Sequence, residues 1–380
     1  MSDHPDVLII GGGIAGASLG AELAAAGAVV TVLEAEDQPG YHATGRSAAH
    51  FIECYGPPPV RAFNKATRPF LEDPPADFAE RGFLKDRPLV WIATEADAPT
   101  LDRLVAAESC LALLPVAEAV RRAPILRPDG IVRAAVEETA ADIDVGALHQ
   151  AYLAALKRRG GRLISSARAA RIEKRDGLWT VETAPASYAA PVLVNAAGAW
   201  AGEIGAMAGL PPIRLNPMRR SAALLPAPEA TDFADWPLIG DIGERFYFKP
   251  EAGKLLVSPA DEIPCAPMDA QVDDMALAEG LDRFERATTY RLSRLETSWA
   301  GLRTFANDRV PLVGFDAADG GDGFFWFAGQ GGYGVQTSAG MAWTGAALVQ
   351  GAPIPERLAA LGLEAAALDP RRAQPDALIH

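Results

Sequence analysis

Apolar and polar positions alternate along the chain in blocks of two periods. Residues 6–10, DVLII, are a short apolar run ending in glycines, the pattern of a strand buried on both faces. From Ile14 to Ala26 the chain turns to alanine and leucine, and Gly27 closes the run as a helix stop. AVVTVLEA then predicts a second buried strand, so the first thirty-five residues predict a βαβ unit. Residues 56–130 are rich in proline, with a strand predicted in RPLVWIA and a helix in PTLDRLVAAESCLALL. Asp144 is placed as the N-cap of a helix that runs to a Gly-Gly stop. Two alternating runs around Asp176-Gly177 predict a hairpin. APVLVNAAGAW returns to a buried strand, residues 212–300 alternate strands with one polar helix, and the tail predicts strand, glycine loop and small-residue helix. No internal repeat is present. The fold expected is α/β plus α+β, with two interleaved domains: a Rossmann-like unit from residues 1–55, 140–210 and 300–380, and an antiparallel-sheet unit from 56–139 and 211–299.

Composition narrows the function. Lys and Arg total 35 against 49 Asp and Glu, a net charge of −14 that disfavours nucleic acid or an anionic membrane as main partner. No apolar stretch approaches the roughly 18 residues of a spanning helix, and the start of the chain has no basic leader pattern. A cytoplasmic protein is expected. The three cysteines, Cys54, Cys110 and Cys265, are too scattered for a disulfide framework or a zinc site and read as buried thiols in a reducing compartment. The five histidines show no ligand spacing either, so no metal is expected.

The glycine turn carries the first chemistry. Gly11, Gly13 and Gly16 hold the GxGxxG spacing between a predicted strand and a predicted helix. The first permits the turn, the second lets backbone approach a pyrophosphate, and the third lets helix and strand close up. Glu34 ends the second strand about twenty residues on, as a ribose-binding carboxylate should, and its charge repels a 2′-phosphate. The chain leaves this unit after the second strand and returns near VLVNAAGAW and the tail, which suits an extended flavin better than NAD. The tail helix can aim its N-terminal dipole at the pyrimidine edge of the ring.

DVLIIGGGIAGASLGAELA, YHATGRSAAH, VLVNAAGAW, SWAGLRTF, RVPLVG and GQGGYGVQTS together resemble the FAD-dependent amino acid oxidoreductases of the D-amino acid oxidase, glycine oxidase and sarcosine oxidase superfamily, with bacterial D-arginine dehydrogenases as the nearest likeness. The likeness spans nearly the whole chain. It implies a non-covalent FAD, and no cysteine near the tail loop offers a thioether. It places Gly11, Gly13, Ile14, Ala15 and Gly16 at the dinucleotide, with Glu34 and Ala35 beside the ribose. Arg46 is expected at the pyrophosphate, and Ser47 and Ala48 at the isoalloxazine, where small residues let backbone approach the ring. Ala197, Gly198 and Trp200, then Gly331, Gly332, Tyr333 and Gly334, complete the expected cofactor contacts.

For the substrate, the resemblance implies Arg220 and Arg303 as carboxylate anchors, a task suited to a bidentate guanidinium. Arg219 alternates to the other face and is expected in solvent. Tyr247 and Tyr55 are expected at the same carboxylate, the Gly332 carbonyl at the amine, and His50 facing the substrate. The reaction implied is oxidative deamination of a D-amino acid: hydride passes from Cα to flavin N5, and water hydrolyses the imine to a keto acid and ammonia. Where a D-arginine enzyme presents a carboxylate, this chain has Leu89, with Ile52 and Leu238 adding apolar surface and Glu53 as a replacement acid. Apolar side chains are therefore expected over cationic ones. The rival readings are oxidation of a secondary amine such as sarcosine, an N-methyl amino acid or proline, and a flavin-binding or subunit-interaction protein without turnover. The partners expected are a small amino acid and an electron acceptor that the sequence leaves open.

Overall fold

A computed structural model describes residues 4–228 and 233–372. Residues 1–3, 229–232 and 373–380, which fall within the expected domain segments, lie outside the described residues.

The apolar block at the start becomes the strand Val7–Ile10, with all four residues buried. It pairs in parallel with Val30–Leu33 on one side and Val192–Asn195 on the other. The full six-stranded sheet adds Arg162–Ile164 at one edge and Phe324–Ala328 and Leu312–Phe315 at the other, with only that last strand antiparallel. The helix Ile14–Ala25 follows the glycine turn and packs against the helices Val145–Arg158 and Ser338–Val349. Asp144 caps the helix Val145–Arg158 as expected, its Oδ1 accepting from the Ala147 amide at 2.9 Å. The hairpin also forms where expected, with Asp176 and Gly177 at φ of 50° and 80° joining Arg171–Arg175 to Leu178–Glu182.

The second layer is a nine-stranded mixed sheet. Leu215–Leu225 and Thr297–Ala306 form its long antiparallel pair, while Leu89–Ala93 runs parallel to Leu238–Asp241. Helix Pro58–Glu72, expected in the second unit, packs Ala62, Phe63 and Leu71 into the core of the parallel sheet. The helix expected over PTLDRLVAAESCLALL ends at Ala107, and Ala112–Leu114 instead pairs with Arg133–Glu137 as an edge strand. Sheet pairing outweighs the helical spacing there. Cys54 and Cys110, expected as free thiols, form a disulfide with Cα atoms 6.6 Å apart, and Cys265 remains free. A separation of 56 residues carries no pairing signal, because tertiary packing brings the two loops together. Among the described residues no helix is long and apolar enough to cross a membrane.

A buried charge cluster joins the layers. His50–Phe51, Ala141–Ile143 and Leu84–Asp86 form a small antiparallel sheet that sets His50 opposite Asp142. Asp142 accepts from the fully buried Lys249 ammonium at 2.7 Å and from the Arg87 Nε at 2.5 Å. Lys249 also reaches Glu251 at 3.0 Å. Burial alone would raise the Asp142 pKa, but His50, Lys249 and Arg87 outweigh it and hold the carboxyl well below its ordinary 3.8. Its contribution to stability is therefore complete above pH 3.8 and drains away as pH falls toward the depressed folded value. Asp142→Asn leaves Lys249 with Glu251 alone and is expected to cost about 3 to 5 kcal/mol by urea denaturation at pH 7. The melting temperature of the variant should also fall less steeply than the wild type between about pH 5 and 3.

Candidate active site

A cavity of about 400 Å³ runs between the two layers. At one end is the glycine turn. Gly11 takes φ +109°, and a Cβ there would stand 2.4 Å from the Ala196 carbonyl oxygen. Gly16 does not line the cavity; a Cβ on it would reach within 1.9 Å of the Gly11 oxygen, so it closes helix on strand as the spacing implied. Glu34 is buried beside the turn, accepting from the Gly12 amide at 2.7 Å and the Glu36 amide at 2.9 Å. Gly13, Ile14, Ala15 and Ala35 line the same end, and Ala197, Gly198 and Trp200 face them.

The segment 41–48 crosses the middle. Ser47 and Ala48 line the cavity, as does Arg46, but the Arg46 guanidinium turns away to Asp269 at 2.5 Å and to the Ala270 and Ala300 carbonyls. It fastens this loop to the large sheet, and the expected role at a pyrophosphate is not its geometry here. Trp299 donates to the Arg46 carbonyl at 3.2 Å, and Thr44 accepts from the Ile14 amide at 3.0 Å at the helix start. His149 Nε2 lies 2.9 Å from the Gly12 carbonyl oxygen. The sequence reading missed all three. Thr44 lies in YHATGRSAAH and Trp299 in SWAGLRTF, whereas the helical pattern around His149 accounts for that residue fully.

At the other end the large sheet supplies cations. The register pairs Arg220 with Gly301 and Met218 with Arg303, which sets both guanidinium side chains on one face, two residues apart along the pair. Both line the cavity, with Tyr247. Arg220, however, donates to the Asp261 carbonyl at 2.7 Å and to Glu262 Oε1 at 3.0 Å. Glu262 also holds Arg309, and these cations together lower its pKa against the opposing effect of burial. Arg219 turns from the cavity toward Asp273 at 3.4 Å and is part-buried, not in solvent.

Arg303 makes no hydrogen bond or ion pair among the described residues. Burial opposes its charge, but the surrounding Tyr55, Tyr247 and Glu262 outweigh that and raise its pKa. A Cβ on Gly332 would lie 3.1 Å from its Nη1, a tight contact that the guanidinium would have to yield to. Gly331 and Gly334 continue this wall. Tyr333 was expected at the cofactor; its side chain instead enters a buried cluster with Val60, Met218 and Phe305. Tyr55 packs on that cluster, its ring 5.1 Å from Tyr333, and burial raises its pKa.

His50 does not face the cavity. Strand register turns it to Asp142, with Nδ1 at 3.3 Å and Nε2 buried without a partner, and burial lowers its pKa despite that carboxylate. Ile52, Leu89 and Leu238, expected as the side-chain pocket, do not line the cavity; they pack with Trp91 and Tyr247 in one apolar cluster, of which Tyr247 reaches the cavity. The carboxylate absent at position 89 stands one strand away: Glu137 is the cross-strand partner of Leu89. Its Oε1 accepts from the Glu53 amide at 2.6 Å, and its Oε2 is buried and makes no hydrogen bond of normal distance and angle.

The glycine cradle, the buried Glu34 and the cavity from turn to guanidinium fit a dinucleotide-linked ring cofactor. The structure is similar to glycine oxidase from Geobacillus kaustophilus, with a TM-score of 0.84 at 23% identity over 98% of this chain and all of that one. It is similar also to L-proline dehydrogenase from P. horikoshii, with a TM-score of 0.81 at 20% identity over 93% and 96% of the two chains. These likenesses concern the fold. In sequence, 139 residues are 31% identical to mitochondrial dimethylglycine dehydrogenase of Mus musculus, covering 36% of this chain but only 16% of that protein's length. Residues 6–348 match the model of the DAO family, FAD dependent oxidoreductase, and the chain belongs to that family.

Proposed function

We propose that the protein oxidises the α-carbon of D-amino acids with apolar side chains, and the observation that carries this reading is the unpaired Arg303 guanidinium in the cavity wall. A half-buried cation with no carboxylate partner among the described residues favours an anion in the cavity, and an α-carboxylate supplies that partner in bidentate form. FAD, when bound, would supply the two-electron acceptor for oxidation at the substrate carbon. Gly11, Gly13, Glu34 and Ala197 would hold its dinucleotide end, and Ser47, Ala48 and Gly331 would leave room for its ring. Arg303 and Tyr247 orient the acid group, and the Gly332 carbonyl accepts from the amine. Fixing these two points on either side of Cα leaves its hydrogen in one direction, which is the positioning contribution a protein makes to such a step. Ile52, Leu89 and Leu238 form the apolar wall beside Tyr247 that would receive the side chain.

A second reading is favoured by the dimethylglycine dehydrogenase match. Dimethylglycine, glycine and proline, in the names of these similar proteins, all carry a carboxylate on the carbon next to nitrogen, so the same Arg303 anchor would serve an N-alkyl amino acid. Anaerobic bleaching of the flavin by a substrate panel separates the two. Apolar D-amino acids should reduce the flavin readily; reduction by N-methyl amino acids with none by primary D-amino acids would select the second reading.

Two outcomes are expected from kinetics. Arg303→Met should lower kcat/KM by about a hundredfold or more, with the flavin spectrum retained and Arg303→Lys intermediate, because about 3 kcal/mol of charge-assisted hydrogen bonding is lost. D-Leucine should exceed D-arginine in kcat/KM by about tenfold or more, since a guanidinium against Leu89 forfeits about 1.5 to 3 kcal/mol. Equal values for the two amino acids would refute the apolar wall.

A further inference from the structure

We propose that Cys54 and Cys110 form a thiol–disulfide exchange site in which Glu137 gives and takes the proton of the Cys54 sulfur, and that its state sets the hold on the loop carrying Ile52 and Tyr55. Three observations converge on it. The two sulfurs and a Glu137 carboxylate oxygen all lie within 4.8 Å of one another. Glu137 is fully buried, its Oε2 makes no hydrogen bond of normal distance and angle, and the Cys54 amide adjoins the carboxyl and opposes the effect of burial. Cys54 is buried, whereas Cys110 is partly exposed in the turn after helix Ala98–Ala107, so the pair has one reachable sulfur and one shielded one.

The chemistry balances with a dithiol reductant. One thiolate of the reductant attacks Cys110 Sγ, the bond between Cys110 and Cys54 breaks, and its electron pair leaves on Cys54 Sγ. The Glu137 carboxylic acid protonates that sulfur. The second thiolate of the reductant then attacks its own sulfur in the mixed disulfide and frees Cys110, which takes a proton from solvent. The reductant ends as its disulfide, having supplied two electrons; the two protons come from Glu137, which takes one back from solvent, and from solvent directly. A disulfide oxidant runs the sequence backward, with Glu137 as base. Burial pushes Glu137 up to about 7, so both of its forms are present near neutral pH. The charged groups about it are Glu53, which raises it further, and Arg68, which lowers it. On the Cys110 side stands the Arg61–Glu108 pair at 3.2 Å.

The consequence follows from position. Cys54 lies between Ile52 and Tyr55, and Glu137 holds the Glu53 amide while standing across from Leu89. Arg61 also grips the Gly56 carbonyl at 2.8 Å, while Asn64 donates to the Ile52, Glu53 and Tyr55 carbonyls and Gln336 holds both backbone groups of Ile52, so the loop has several hydrogen-bonded fastenings and a covalent one at Cys54. Opening the disulfide removes the covalent one of these.

The test uses the holoenzyme. After treatment with oxidised glutathione, denaturing thiol titration should find one thiol, from Cys265, and three after dithiothreitol. Opening by dithiothreitol should be about tenfold slower in Glu137→Gln than in the wild type at pH 6, with the difference vanishing toward pH 8.5. Three thiols persisting after the oxidant, or equal rates in both proteins across this range, would overturn the exchange site. Reduction should raise the wild-type KM for an amino acid several-fold with flavin content unchanged, and Cys54→Ser/Cys110→Ser should show the raised KM with or without dithiothreitol. An unchanged KM would overturn the link to the loop. That last readout alone rests on the proposed function, so failure of the substrate assignment leaves the thiol count and the opening rates decisive.

Discussion

The site turns on an interaction that the folded chain leaves unmade. Arg46, Arg220 and Arg309 each reach a carboxylate, while Arg303 reaches none among the described residues. A half-buried guanidinium with no such partner favours an anion beside it, and the fold sustains this because the group faces a cavity. An arriving anion gains the interaction that the protein has withheld from itself. Sheet register accomplishes this, since the pairing that puts Arg303 on the cavity face also puts Gly301 beside Arg220, where no side chain intrudes. The bare Gly332 backbone then closes the other side.

Much of the frame was legible because its signals are local. The Gly11–Gly16 turn, the Asp144 cap and the Asp176-Gly177 hairpin each follow from a few adjacent residues whose backbone demands are narrow. The family resemblance then named Arg303, Arg220 and Tyr247, and the structure brings all three to one cavity. What escaped the sequence depends on partners far along the chain. Arg46 is claimed by Asp269, more than two hundred residues away, and His50 by Asp142 across a short sheet. The Cys54–Cys110 bond is of the same kind. In each case the direction of the side chain was set by whichever distant group packing delivered.

The apolar wall and the buried acid behind it are two faces of one pairing. Leu89 and Glu137 stand opposite each other, and strand geometry sends such partners to the same side of a sheet. A carboxylate there would ordinarily turn the pocket toward cations. Glu137 is kept from doing so by its own burial, which favours the neutral acid, and by the loop at Glu53 that occupies Oε1. A guanidinium seeking it would have to displace that loop and ionise the acid, two costs that an aliphatic side chain against Leu89 does not meet.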